Sequence, residues 1–520
     1  MSRLHAVYLA VAVTAVPIYA QTPADKGDKQ TPAATDDAIR RLLLRLAPVP
    51  LYHGQRISTL TFSPDGKTVT TVSNAEAKVS VFDSATGELL RSWQLPTRRI
   101  GHSALSSDGK LLAAADPSGR AALWDAATGK PLRPLKGTAG GCLAISPDGK
   151  SVVSGLADGT LGVWDTATGE QRCRLPKSAW TLSLALAFSA DGKRIAAPRP
   201  DGTVGIWDTT AGKELQSLPA GAPDLRMLSF TPNGKSLASS DGRGVVRMWD
   251  LATAKERRQL QLPLDHDLTC GLFTADGRAL LTGGADGTVR LWEMASGKER
   301  HRFPQLRGSI DGAVLAADGR SIAMATTNKI AFVREVGALT PAETHLGPAP
   351  RPKDLETAWA DLAAPDAATA YRAVAVLAEK RGDAVAFLKK QLQPAPATTP
   401  AEMTRLIVDL GSANFATRQK AMKELERLHE AAEDALEAVL RGDPPLEVRQ
   451  RVRGLLDRIK RQGLPLERVR PLRAVEALEA IGTDESRQLL QNLAGGAAGD
   501  PLTEEARAAL ARLRKGSSPK

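Results

Sequence analysis

A repeat close to 42 residues long, a turn motif that recurs inside it and a change of apolar spacing after residue 353 predict the fold class. It is an all-β seven-bladed β-propeller followed by a small all-α helical-repeat domain. The repeat runs from about residue 57 to 336. Each unit opens on a turn such as Ser63-Pro64-Asp65-Gly66-Lys67 and enters an apolar strand. A second turn follows, often Asp-Gly-Thr, and then a strand that ends on Trp-Asp before Thr-Gly-Lys or Thr-Gly-Glu. Strand ends fall at Phe82-Asp83, Trp124-Asp125, Trp164-Asp165, Trp207-Asp208, Trp249-Asp250, Trp292-Glu293 and, degenerate, Val333-Arg334. The spacings of 42, 40, 43, 42, 43 and 41 give seven units.

The turns follow from backbone chemistry. Gly accepts positive φ and Asp or Asn tolerates it, so Asp-Gly and Asn233-Gly234 close tight hairpins. A small twisted sheet of three or four such strands has two faces to bury. Units therefore stack side by side and close into a ring, which removes most exposed edges. Aromatics make up only 4% of the chain, so aliphatic side chains must do most of the packing.

Six near-regular Trp-Asp or similar endings with matched turns resemble the WD-repeat family of β-propellers over roughly 280 residues. The family's Gly-His dipeptide before each first strand is mostly missing. Gly101-His102 lies within a strand, and His53 and His266 stand near the expected place in two units. The family's ring closure implies that an early strand, within 48–53, completes the last blade; residues 339–346 are the alternative closer.

Domain limits follow. Residues 39–346 hold the propeller, 347–353 a Pro-rich linker, 354–514 the helical domain and 515–520 a tail. Apolar spacing predicts helices from Asp354 to Arg514, with Asp366, Asn414 and Thr503 as caps and Gly442, Gly482 and Gly495 after helix ends. Short antiparallel pairs make the domain HEAT-like. With Trp359-Ala360-Asp361-Leu362 and the stretch from Ala474 to Gly482, the whole chain is similar to exported planctomycete-type bacterial proteins of unknown activity. That resemblance implies architecture and export, not function.

Arg3 and His5 precede an apolar run from Ala6 to Ile18, which predicts a signal peptide at 1–20, cleaved after Ala20. Thirteen apolar residues are too few to cross a bilayer, where about 20 are needed. Residues 21–38 read as a disordered linker. The protein is expected to be exported, to the periplasm or beyond, without a stable membrane span. Cys142 and Cys270 share one repeat position in different blades, and Cys173 falls on an outer strand, so the three read as buried small hydrophobes and not as a disulfide pair.

No metal spacing, nucleophile elbow, P-loop or dinucleotide fingerprint occurs, so neither an enzyme nor a cofactor is expected. Each Asp-Gly offers one carboxylate on a two-residue turn, whereas Ca²⁺ takes six to eight oxygens. The expected function is a non-catalytic protein-interaction scaffold outside the cytoplasm, binding protein partners by rim loops and the helical array. Candidate rim residues are Arg56, Arg99, Trp180, Asp224 and Asp267, which are polar or large and stand at blade entrances.

An enzyme or small-ligand binder in the central channel is the alternative, lined at the strand entrances by Thr59, His102, Cys142, Ala185, Met227, Cys270 and Gly312. A third reading uses the stretch from Arg449 to Arg473, with nine basic residues and two acidic ones, to hold an anionic envelope polymer. Without interleaved aromatics it does not suit nucleic acid, and the plain reading is the solvated side of two helices. The net charge of +11 adds weak attraction to anionic surfaces.

Overall fold

The computed structural model describes residues 49–516, apart from 53–54, 139–141, 179–185, 221–224, 242, 263–266, 317–320, 336–351, 397 and 462. Over residues 49–335 the chain forms seven four-stranded antiparallel sheets. Blade one runs from the centre outwards through Thr59–Phe62, Thr68–Ser73, Lys78–Asp83 and Leu89–Gln94, and the next five blades repeat that meander. Blade seven has Ile310–Leu315, Ser321–Thr326 and Ile330–Glu335. Its outer strand is Val49–Tyr52, with Val49 opposite Val333 and Tyr52 opposite Ile330. The early strand thus takes the closing position; residues 339–346 lie outside the described residues. Blade one's inner strand packs between those of blades seven and two, so the ring is shut.

One apolar cluster fills each junction between neighbouring blades. The motif Trp is the wedge. Trp164, Trp207, Trp249 and Trp292 are buried, each against the preceding blade, and Phe82 does the same against blade seven. The neighbouring Asp builds the turn: Asp83 Oδ1 accepts from the N–H groups of Ala85 and Thr86 at 2.8 Å each.

Blade seven shifts the expected register by one residue. Ile322 pairs with Arg334 as Leu280 pairs with Trp292 in blade six, so Arg334-Glu335 stands at the Trp-Asp position, not Val333-Arg334. Side chains alternate across a strand. Val333 therefore faces blade one's cluster, while Arg334 lies over the Phe303 ring at 5.8 Å. An arginine in place of the wedge hid the true position behind its apolar neighbour.

The C-terminal helices are α1 (Leu355–Asp361), α2 (Ala367–Glu379), α3 (Arg381–Gln391), α4 (Pro400–Asp409) and α5 (Phe415–Leu428). They continue with α6 (Glu430–Arg441), α7 (Leu446–Arg461), α8 (Leu466–Ile481), α9 (Asp484–Ala494) and α10 (Pro501–Gly516). Asp354, Asp366 and Asn414 cap their helices by accepting first-turn N–H groups. Thr503 does not. Helix α10 starts two residues earlier, at a Pro suited to that place, and Asp500 accepts the Leu502 N–H at 2.9 Å while Thr503 is buried.

Helices α1–α3 and α8–α10 share one core, and α4–α7 share a second. The second group is thus inserted between the two halves of the first. No helix among the described residues is long and apolar enough to cross a membrane.

Candidate interaction surfaces

In a meander of this order the strand entrances and the second-to-third turns lie on one face of the ring. The first-to-second and third-to-fourth turns lie on the other. Arg56, Arg99 and Asp267 occupy entrances on the first face, and all three are exposed. Arg56 reaches across to blade seven, with Nε and Nη2 each 2.8 Å from a carboxylate oxygen of Asp311. The hydrogen bonds to that carboxylate, and its charge, hold the Arg56 guanidinium above its ordinary pKa.

Asp311 was not foreseen; it stands beside Gly312, at the start of an inner strand. The Arg99 carbonyl accepts from the Thr97 hydroxyl at 3.0 Å, and the Asp267 carbonyl from the Ala285 N–H at 2.9 Å. These three residues sit on separate blades and are not brought together. Trp180 and Asp224 lie outside the described residues, as does Ala185.

Near the channel mouth the Thr59 and Ser103 hydroxyls are 3.0 Å apart, and Ser103 donates to Asn74 Oδ1 at 2.7 Å. Burial pushes the Cys142 and Cys270 thiols up to about 11. It raises Cys173 as well, with Asp208 adding to the effect, and it lowers His102. All three thiols are free. Among the described residues no group of three or more His, Cys, Asp or Glu could hold a metal ion. The turn carboxylates already have donors: Asp158 Oδ1 takes the Thr160 N–H at 2.9 Å and its hydroxyl at 2.6 Å.

The opposite face carries a built interface. There the helical region docks on the turns and outer strands of blades five and six, mostly with cations on the propeller and carboxylates on the helices. Arg257 pairs with Glu433 of α6 at 3.1 Å, and Arg300 with Glu476 of α8 at 2.7 Å. The Arg300 guanidinium also lies 3.7 Å from the Tyr371 ring centroid. Arg278 donates to Glu479 at 2.6 Å and to Glu505 at 2.8 Å, and Arg512 joins both carboxylates.

One pair reverses the polarity. Glu293, which replaces the motif Asp in blade six, receives Arg473 Nε at 2.8 Å and Nη2 at 2.6 Å. Arg473 also donates to the Leu362 and Ala364 carbonyls, and Ser296 donates to Glu293. Burial works to raise the Glu293 carboxyl. Its bonds to Arg473, the charges of Arg473 and Arg300, and the Ser296 hydroxyl outweigh burial and hold it below the ordinary value.

The basic stretch from Arg449 to Arg473 is therefore largely engaged. Arg458 pairs with Glu426, Arg468 with Asp500 at 2.7 Å, and Arg473 is only 2% exposed. The solvated-side reading does not hold for Arg473, because its partner comes from a sheet 180 residues earlier. A cleft of about 690 Å³ opens beside this interface, between Met248 and Met294 on the propeller and Met403, Leu428 and Arg468 on the helices.

Residues 56–335, over half of the chain, match the family model described as the IFT122 first beta-propeller. No curated protein matches the chain.

Proposed function

Since the chain belongs to the IFT122 first beta-propeller family, we propose that it is a non-catalytic protein-interaction scaffold that works outside the cytoplasm. One observation carries the reading. The helical region is fixed to one face of the ring, while among the described residues Arg56, Arg99 and Asp267, at strand entrances on the other face, are exposed. A rigid ring offers such loops a fixed geometry, which limits the ordering lost on binding. In this proposal the rim takes a protein partner and the helical array supplies a second surface. Neither cofactor nor metal is needed.

Export rests on the opening residues, where a basic start is followed by a short apolar run. We extend to this chain the similarity to planctomycete-type exported proteins on the same ground.

The test replaces Arg56, Arg99, Trp180, Asp224 and Asp267 together by Ala. Capture of an envelope partner, identified by proximity labelling in the native host, should fall at least tenfold, the loss of about 1.4 kcal/mol that one modest hot spot provides. Unchanged capture by a folded variant removes the rim assignment. Cell fractionation of the tagged protein checks export separately.

A further inference from the structure

Eight large apolar side chains are exposed among the described residues, and five of them lie on outer strands of the propeller. The other three, Val408, Phe415 and Leu446, are each 66% exposed and stand at helix ends of the α4–α7 group. None belongs to the buried stripe of its helix. Helix α7 sends Val452, Leu455, Leu456 and Ile459 into the core, while Leu446 only opens the helix. Helix α5 buries Ala421, Leu425 and Leu428, and Phe415 directly follows the cap Asn414. Helix α4 packs Met403 and Leu406 on the same core, and Val408 shares its solvent side with Arg405.

These helix ends meet. Lys460, in the last turn of α7, pairs with Glu433 and Glu437 of α6, and the same two carboxylates hold Arg257 and Lys255 of the propeller. That is the propeller end of the group; Arg441 is about 12 Å further along α6 than Glu433, at the outer end with Leu446. The α4–α5 loop closes on the same place. Arg451 donates to the Leu410 carbonyl at 3.0 Å, and a Cβ on Gly411 would lie 3.6 Å from Val448 Cγ2. Arg418 donates to the Ser412 and Ala413 carbonyls at 2.7 and 2.8 Å, with its guanidinium 5.7 Å from the Phe415 ring centroid. Val408, Phe415 and Leu446 therefore flank one loop.

The charge around that loop is cationic. Arg405, Arg418, Arg441, Arg449 and Arg451 stand among three carboxylates, each of which already has its arginine. Asp409 pairs with Arg405 at 3.9 Å, Glu447 with Arg451 at 2.8 Å, and Asp443 with Arg449. Arg418 and Arg441 have no carboxylate partner among the described residues, and Arg441 is exposed. A single exposed apolar side chain is ordinary. Three around one loop, with arginine in surplus, match the interface of an anionic bilayer, where apolar side chains enter below the headgroups and cations meet them. A second copy of this end would set like charge against like.

We propose that the outer end of the α4–α7 group is a peripheral docking tip for an anionic lipid bilayer. Val408, Phe415 and Leu446 enter the interface, and Arg418 and Arg441 meet its headgroups. The surface is separate from the rim, so it would hold the scaffold at a membrane while the strand entrances keep their own partner.

Flotation of the full chain with vesicles tests the proposal. Vesicles of equal parts phosphatidylglycerol and phosphatidylcholine should carry the protein, and phosphatidylcholine alone should bind it about tenfold less. Binding should weaken several-fold as salt rises from about 0.05 to about 0.3 M, and Arg418→Gln/Arg441→Gln should flatten that dependence. The triple variant Val408→Ser/Phe415→Ser/Leu446→Ser should lose about tenfold in binding. Leu90→Ser/Leu132→Ser/Leu215→Ser, which changes exposed leucines of the blades, should keep it. Failure to float with the anionic vesicles overturns the proposal. So does binding that survives the helical triple variant, or that the blade variant loses equally. Lipid-free self-association abolished by the helical triple variant means a second copy, and preference for polyglutamate over the vesicles means an acidic protein; either overturns it. Circular dichroism of each variant separates these outcomes from unfolding.

Discussion

Glu293 and Arg473 are joined by two hydrogen bonds across the junction between blade six and α8, and their side chains are only 7% and 2% exposed. Removing one partner of a buried pair leaves an uncompensated charge, which costs about 3–5 kcal/mol. Arg473→Ala should therefore destabilise the docked state by about that amount, whereas Glu293→Gln with Arg473→Met should recover part of the loss. Urea unfolding of the two variants, followed by Trp fluorescence, checks this. Equal midpoints for Arg473→Ala and the parent chain would refute it.

The same pair sets a pH dependence. The Glu293 carboxyl is depressed in the folded protein, so its contribution is complete above the ordinary glutamate value of about 4.3 and is lost as pH falls through the lower folded value. Acid should release the helical region from blade six. The variant Glu293→Gln should flatten that part of the stability profile, measured by melting temperature between about pH 3 and 6.

Arg257 and Arg300 hold different helical cores, since Glu433 belongs to the α4–α7 group and Glu476 to the other. Their alanine variants should loosen separate helices in hydrogen exchange, α6 with α7 for Arg257 and α8 for Arg300. The two losses of stability should add within about 0.5 kcal/mol. Strong coupling would mean that the two helical groups undock as one unit.

Turn residues at one repeat position should respond in opposite ways. Gly129 has φ +73° and no room beyond its Cα, so Gly129→Ala strains the backbone and collides with Trp93, at a loss of about 2 kcal/mol or more. Ala254, at the matching place in blade five, already holds φ +58°. Ala254→Gly should leave the protein as stable, or up to about 1 kcal/mol more stable. Thermal melts of both variants decide it.

Thiol chemistry gives a further check. With the buried Cys142 thiol near 11, only on the order of 10⁻⁴ of it is thiolate at neutral pH, so Cys142 should resist thiol-specific labelling until the protein is denatured. Rapid labelling of Cys142 in the folded chain would contradict its buried geometry.

Much of this architecture is legible in the residues. Asp-Gly turns, wedge tryptophans and helical apolar spacing are local signals, and they place the blades and the helices from Leu355 onward. The docking is not legible in the same way. Glu293 stands out as a glutamate that follows a motif Trp where the other motif Trp residues are followed by Asp, yet nothing near it in sequence names Arg473 as its partner. Arg257 and Arg300 look like ordinary solvated strand residues until the fold sets them against helices 176 residues away. Arg334 hid for a related reason: an apolar-pattern search passes over a charged side chain that packs by its stem and its flat guanidinium.

Ring closure by Val49–Tyr52 also orders events during synthesis. That strand leaves the ribosome first among the propeller's strands, but its partner Ile330–Glu335 is the last of them to be made. Blades one to six can stack as they emerge, while the latch waits with an open edge until the seventh is finished. A nascent chain stalled before residue 330 should therefore remain an unclosed arc, sensitive to protease at its first strand and ready to pair with the wrong neighbour.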